Sequence, residues 1–209
     1  MYVKMDSILA FSGGVDSTYC LYDYLRKNKD KTLLVHHVRM KHYEGRMEYE
    51  LKAVRSILEW LRKNGLDNFV YSESGFDYGD ITFVHYDIVT AGYFTGVILQ
   101  NPKYRDIKYV IATTNREEAH TDSLEQVKGE KRRVLRDNLI RLVAKRDTIE
   151  TVYPIYNIAK RDLVRKMPKD LFKLCWYCRR PTKEGKACGV CFTCCRVEGK
   201  RYQGKKKQS

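Results

Sequence analysis

No apolar run in these 209 residues approaches the roughly 18 that a membrane-spanning helix needs, which excludes an integral membrane helix. No leader with a charged start and an apolar core precedes the first strand-like run. The sequence therefore predicts a soluble, cytoplasmic protein with no membrane partner. No internal repeat appears, so a solenoid is excluded. The HExxH metal motif is absent. So are the GxxxxGK[ST] phosphate loop and the GxGxxG dinucleotide fingerprint. Acid is the minority charge, with 26 Asp and Glu against 40 Lys and Arg, a net charge of +14. That balance suits RNA, DNA, an anionic nucleotide or simple solubility, so nucleic-acid contact is permitted but not required. Cysteine is nearly missing from the body of the chain, where Cys20 stands alone as a small core residue.

What is present begins with Ser12-Gly13-Gly14-Val15-Asp16-Ser17. Ahead of it, Ser7 to Phe11 is an apolar run suited to a buried strand. Behind it, Thr18, Leu21, Tyr22 and Leu25 recur at helical spacing as far as Asn28. A strand that turns through two glycines into a helix makes an anion site. The backbone comes close to a ligand, the first helical amides are unpaired donors, and the helix dipole favours negative charge. Ser12, Ser17 and Thr18 add hydroxyls, so the junction predicts a phosphate.

Further along, strands are predicted at Thr32–Val38, Asn68–Ser74 and Lys108–Thr113. Helices are predicted at Glu44–Asn64, closed by Gly65, and at Asp87–Leu99, where Gly92 and Gly96 allow close packing. Ser74–Asp80 reads as loop, and Arg116–Asp122 as a polar loop. Gly129–Arg146 reads as a helix with Val134, Leu135, Leu139, Leu142 and Val143 on its apolar face and a basic remainder. Ile158–Met167 is a short helix stopped by Pro168. This alternation predicts an open, doubly wound α/β fold, a Rossmann-like parallel sheet with its crevice at the strands' C-terminal ends. His36 and His37, in a strand covered on both faces, read as hydrogen-bonded core histidines.

Six of the seven cysteines fall between positions 175 and 195, which in an intracellular chain reads as metal binding rather than disulfides. Cys188, Cys191 and Cys194 supply three thiolates at x2 spacing, and Cys178 the fourth, with Cys175 as the competitor for that place. Four thiolates suit a closed, structural Zn2+ site, with an iron-sulfur cluster as the alternative. Cys195 should point away. The predicted layout is a nucleotide-binding domain at 1–167, a zinc-binding segment at 168–195 and a basic, disordered tail at 196–209.

The SGGxDS string resembles the pyrophosphate loop of the PP-loop ATP pyrophosphatases, whose fold is the adenine nucleotide α-hydrolase type. Adding Tyr153-Pro154-Ile155 with Lys160, then Trp176-Tyr177-Cys178-Arg179-Arg180-Pro181, then the CGxCxxC from Cys188, the chain resembles 7-cyano-7-deazaguanine synthase. The resemblance implies an ATP-dependent ligase of queuosine-type biosynthesis. It would convert 7-carboxy-7-deazaguanine and ammonia to the nitrile through adenylated intermediates, with nucleotide products and pyrophosphate released. It implies ATP contacts at Phe11, Ser12, Gly13, Gly14, Val15, Asp16, Ser17 and Thr18, and at an adenine edge formed by Val38 and Arg39. Ser12, Asp16, Ser17 and Lys160 take catalytic roles. Asp16 is assigned to Mg2+ or to holding the loop, and Lys160, Arg179 and Arg180 are candidate anion contacts. A homodimer is expected. The tyrosine-proline-aspartate-cysteine-arginine segment of that family is missing, since Glu117–Ser123 occupies its place, so a related deazapurine is admitted as substrate. A tRNA-modifying enzyme of the same loop class, a thiolase or lysidine synthase, is the first alternative. A zinc module that binds nucleic acid without catalysis is the second.

Overall fold

The computed structural model describes residues 5–81, 87–120 and 123–200, with side chains outside 120–128. Five strands form one parallel sheet: β1 (Met5–Ala10), β2 (Thr32–Lys41), β3 (Phe69–Asp77), β4 (Tyr109–Ile111) and β5 (Glu150–Val152). Their order is β3-β2-β1-β4-β5, so the chain leaves β1 in one direction for β2 and β3, then returns to β1's other side for β4. The crevice of such a sheet opens where the order reverses, above β1 and β4.

Side chains on successive strand residues face opposite ways, and both faces of this sheet are covered. Leu9, Leu33, Val35 and Ile111 join one core with Leu21 and Leu25 of α1 (Val15–Lys27) and Val54, Ile57 and Leu61 of α2 (Met47–Lys63). Ile8, Leu34 and Val110 face the other way. They pack with Leu99 of α3 (Asp87–Leu99) and Ile140 and Ala144 of α5 (Ser123–Ala144). The short helices α4 (Arg116–His120), α6 (Lys160–Lys166), α7 (Lys169–Leu174) and α8 (Phe192–Glu198) finish the chain among the described residues. No helix among them is long and apolar enough to cross a membrane.

Several local expectations are corrected. β3 continues through Ser74 and Gly75 to Asp77 where a loop was expected, because β2 also runs on and pairs with it residue by residue to Lys41. Arg39–Glu73 at 3.2 Å and Lys41–Asp77 at 2.8 Å tie the extension across the strands. Part of the predicted polar loop is helix α4, with residues 121 and 122 outside the described residues. α5 begins at Ser123 rather than Gly129, and it buries a different face from the expected one. Arg136, Ile140 and Ala144 are buried, whereas Leu142 is 76% exposed and Val134 and Leu135 are also exposed. The expected boundary between segment and tail, at 195/196, falls inside α8, and Leu171 of the expected zinc segment lies in the main core.

The face that α5 buries is chosen by α3. Gly92, Thr95, Gly96 and Leu99 are α3's buried residues, a stripe of mostly small side chains that lets the helices approach. A Cβ on Gly96 would stand 2.7 Å from Val143 Cβ and 3.1 Å from the Ile140 carbonyl oxygen. Gly96→Ala is therefore expected to destabilise by about 1–3 kcal/mol through overpacking, more than the ~1 kcal/mol gained in helix propensity. A thermal melt should show a midpoint lower by several degrees, and an unchanged midpoint would contradict this packing.

Candidate functional site

The phosphate loop lies at the C-terminal end of β1, beside the order reversal. Gly13 has φ +72°, and a Cβ there would meet Val54 Cγ2 and Val54 N at 3.1 Å, so α2 presses against the loop. Gly14 caps α1, and Thr18 N–H makes an early helical bond to its carbonyl at 2.9 Å. Ser12 Oγ and Ser17 Oγ stand 3.1 Å apart. Ser17 Oγ donates to the Gly14 carbonyl at 3.2 Å, and Gly14 N–H donates to Ser12 Oγ at 3.3 Å. The loop is held by its own hydroxyls around the N-terminus of a 13-residue helix. Phe11, Val15, Ser17 and Thr18 are buried, with Thr18 Oγ1 lacking a hydrogen-bond partner.

Three strand ends converge on Asp16. From β5's side, Lys160 at the start of α6 places Nζ 2.8 Å from Asp16 Oδ2, both side chains largely buried. Just beyond β4, fully buried Asn115 donates from Nδ2 to Asp16 Oδ1 at 3.1 Å and accepts from the Glu118 N–H through Oδ1 at 3.1 Å. Glu117 accepts the Lys160 backbone N–H at 3.0 Å and so caps α6. Arg196 of α8 donates to the Glu117 carbonyl at 3.4 Å.

The electrostatics follow from this crowding. Burial alone would lower Lys160, but the Asp16 and Glu118 carboxylates outweigh it and raise its pKa, so the ammonium is held charged. Burial, and then the charge of Asp16, push the Glu118 carboxyl up although the residue keeps exposed surface. Lys160 and Asp16 were singled out in the sequence. Asn115 and Glu118 stood out only as part of the polar run after the fourth strand, which one reading makes a substrate or magnesium contact, and Arg196 carried no signal.

The second strand reads differently. Val38 and Arg39 lie in mid-strand because β2 runs to Lys41, with Val38 buried and Arg39 paired to Glu73. His36 bonds Ser72 Oγ through Nδ1 at 2.8 Å and Ser74 Oγ through Nε2 at 3.0 Å. His37 Nδ1 bonds the Phe11 carbonyl at 2.8 Å. Burial, then the neighbouring His37, lower the His36 pKa to about 4. The ring stays neutral in the fold while the unfolded chain takes up a proton near pH 6.5, so stability should fall as pH drops from 6.5 towards 4. The loss attributable to this group reaches about 3 kcal/mol. Urea melts over that range should show the slope, and His36→Gln should flatten it.

The cysteine group sits beside the loop. Cys178, Cys188, Cys191 and Cys194 place their Sγ atoms within 4.8 Å of one another. Cys188 and Cys194 are 4.0 Å apart, near the ~3.8 Å expected of two thiolates on one tetrahedral zinc. Backbone N–H groups of Arg180 and Cys188 donate to Cys178 Sγ at 3.3 and 3.2 Å, and that of Cys191 to Cys188 Sγ at 3.3 Å. Such bonds stabilise thiolates, so the set fits a metal ion. Cys175 lies apart in the main core, its thiol pushed up to about 12 by burial. Cys195 turns its sulfur towards the Val190 carbonyl at 3.6 Å. Arg179 runs from the metal loop to Glu44 (3.5 Å) and Asp87 (3.4 Å). Trp176, two residues before Cys178, donates its backbone N–H to the Gly13 carbonyl at 3.0 Å and stacks its ring on Tyr49 with 4.6 Å between centroids.

No family model matches this chain, and no curated protein matches it. Among solved structures it is similar to the U34-tRNA thiolase NcsA from Methanococcus maripaludis with its [4Fe-4S] cluster. The TM-score is 0.54 at 14% identity over 82% of this chain. The chain spans 58% of the thiolase's length. The fold is thus α/β with a five-stranded parallel sheet, of the adenine nucleotide α-hydrolase kind, with a C-terminal four-cysteine cluster.

Proposed function

We propose that this chain is an ATP-dependent enzyme that cleaves ATP between the α and β phosphates to adenylate a carboxylate. Its substrate is a 7-carboxy-7-deazaguanine-type base, and ammonia converts the adenylate onward to the nitrile. The observation that carries this is the convergence of the SGGVDS loop with the Asp16–Lys160 pair where the sheet order reverses. A helix N-terminus, loop hydroxyls and a buried ammonium together present donors where charge builds on departing pyrophosphate. Asp16 and Glu118 supply the carboxylates that would hold Mg2+, which offsets phosphate charge when bound.

In the first step a carboxylate oxygen attacks the α-phosphorus and the bond to the β-phosphate oxygen breaks, releasing pyrophosphate. Ammonia then attacks the acyl carbon, AMP leaves, and a proton is released to give the amide. A second ATP adenylates the amide oxygen as its bond to the β-phosphate oxygen breaks and a second pyrophosphate leaves, and loss of AMP with the two amide protons leaves the nitrile. Lys160 stays near the transferring group as a fixed cation, held by Asp16.

Four thiolates that close on one point support zinc, which leaves no open position and builds structure rather than chemistry. A four-iron cluster gives each thiolate its own iron and needs them further apart.

The likeness to the thiolase supports a second reading, tRNA modification by adenylation of a base, and the +14 charge agrees with it. One experiment separates them. Purified protein is incubated with ATP, magnesium and ammonium, either with 7-carboxy-7-deazaguanine or with tRNA and a sulfur donor, and products are followed by mass spectrometry. AMP and nitrile together in the first mixture support the first reading. AMP only in the presence of tRNA transfers the assignment to the second.

A further inference from the structure

A charged cluster that ATP cleavage does not use lies where the β2–α2 turn, the start of α3 and the metal loop meet. Buried Arg46 pairs with Glu44 (2.8 Å), Glu50 and Asp87 (2.6 Å), while Arg179 reaches Glu44 and Asp87 from the other side. Both guanidiniums take Asp87 Oδ2. Asp87 Oδ1 is buried without a hydrogen-bond partner.

Beside them stands His42, 9% exposed. Its Nδ1 accepts the Glu44 N–H at 3.2 Å, so in the neutral ring the proton sits on Nε2. That Nε2 is also buried without a partner. The ring helps line a pocket of about 490 Å³ with Lys41, Tyr43, Asp77 and Asp80, and it stands edge-on to Tyr43 and Tyr78. Buried polar groups rarely go unmatched, and here one donor and one acceptor do so in the same cluster. The cluster adjoins the phosphate loop. Glu50 lies one turn of α2, about 5.4 Å, before the residues packed on Gly13. Arg179 follows Trp176, whose backbone N–H bonds Gly13, by three residues.

We propose that His42 and Asp87 read the oxo-and-amino edge of the substrate's ring. His42 Nε2–H donates to the 6-oxo oxygen, and Asp87 Oδ1 accepts from the ring N1–H or the 2-amino group. This inference rests on the deazapurine reading and deepens it. Two guanidiniums hold Asp87 through Oδ2, and a carboxylate oxygen only accepts. An adenine ring presents the opposite order, an amino donor facing His42 and a bare nitrogen facing Asp87, so the pair excludes ATP's own base.

The test titrates this whole 209-residue chain, loaded with metal, calorimetrically with 7-deazaguanine and with 7-deazaadenine. A preference for 7-deazaguanine of about tenfold or more is expected, the worth of one bidentate base contact. Asp87→Asn and His42→Phe should each remove most of it. Asp87→Asn also loosens two arginines, so the comparison of two bases on the unaltered protein stands if that variant does not fold. Equal affinity for the two bases, or a preference intact in both folded variants, overturns the assignment. The nitrile assay run alongside separates this from the wider reading. Nitrile formation without base preference overturns the edge-reading site alone. Base preference without nitrile overturns the reaction and leaves the site standing.

Discussion

Stripping the metal from the four-cysteine group, or replacing Cys188 by Ala, is expected to weaken ATP binding at least tenfold, although no cysteine of the group belongs to the phosphate loop. The link is mechanical. The segment from Trp176 to Cys195 has only a small core built on its cysteines, with Val190 73% and Phe192 43% exposed, so an ion held by those thiolates would supply much of its order. Structural zinc binding is folding free energy, about 10–16 kcal/mol in small zinc domains. What that order holds in place is the Trp176 backbone N–H on the Gly13 carbonyl, the Trp176–Tyr49 stack and the Arg179 pairs to Glu44 and Asp87. Gly13 sits at φ +72° between this segment and α2, so releasing one side frees the loop to leave its anion-binding shape. Calorimetric titration with ATP before and after chelation, with metal content measured on the same samples, checks the point. Equal affinity in metal-free and loaded protein would show the segment to be independent of the loop.

Lys160→Ala should lower the rate of AMP formation by about 10²–10³-fold, the usual cost of losing one preorganised charge at a transition state. The substitution also removes the cation that offsets burial and the Asp16 charge at Glu118, so the Glu118 carboxyl would be pushed further up. Asp16→Ala strands a buried ammonium and should cost about 3–5 kcal/mol of stability, so Asp16→Asn, which keeps the volume, is the better kinetic probe. The two side chains act as one unit, and the double variant should be little slower than the worse single one. Steady-state AMP formation, with circular dichroism as a check on folding, measures this. Rates that multiply across the two substitutions would mean that the pair does not act together.

These expectations depend on how local each signal was. The phosphate loop was legible because strand, glycines and helix lie within a dozen consecutive residues, and the physics of a helix N-terminus is local. The parallel sheet was legible from alternation of short apolar runs with helical stripes. α3 was predicted at its observed bounds, Asp87–Leu99. α5 was misjudged on its buried face. Its apolar positions outnumber its contacts, and which face is buried depends on where α3's glycines meet it. Arg136, part of the basic remainder of that helix, is buried, where its guanidinium meets Tyr153 and Asp137. β2 and β3 run further than their apolar runs because charged residues at their ends pair across the strands. Asn115, Glu118 and Arg196 join Asp16 and Lys160 only through the sheet's topology, from positions 99 to 180 residues away along the chain from Asp16. Cys178 over Cys175 was preferred from spacing, and the structure places Cys178 with the other three thiols and Cys175 in the core.

The central claim is that the Asp16–Lys160 loop site transfers AMP to a carboxylate. Its most direct test uses 7-carboxy-7-deazaguanine labelled with ¹⁸O in the carboxylate, ATP, magnesium and ammonium, with products read by mass spectrometry. Adenylation followed by displacement must carry one labelled oxygen from the carboxylate into AMP, with unlabelled pyrophosphate released. Labelled AMP together with the nitrile is the predicted result. ADP and phosphate, or AMP free of label, would contradict it.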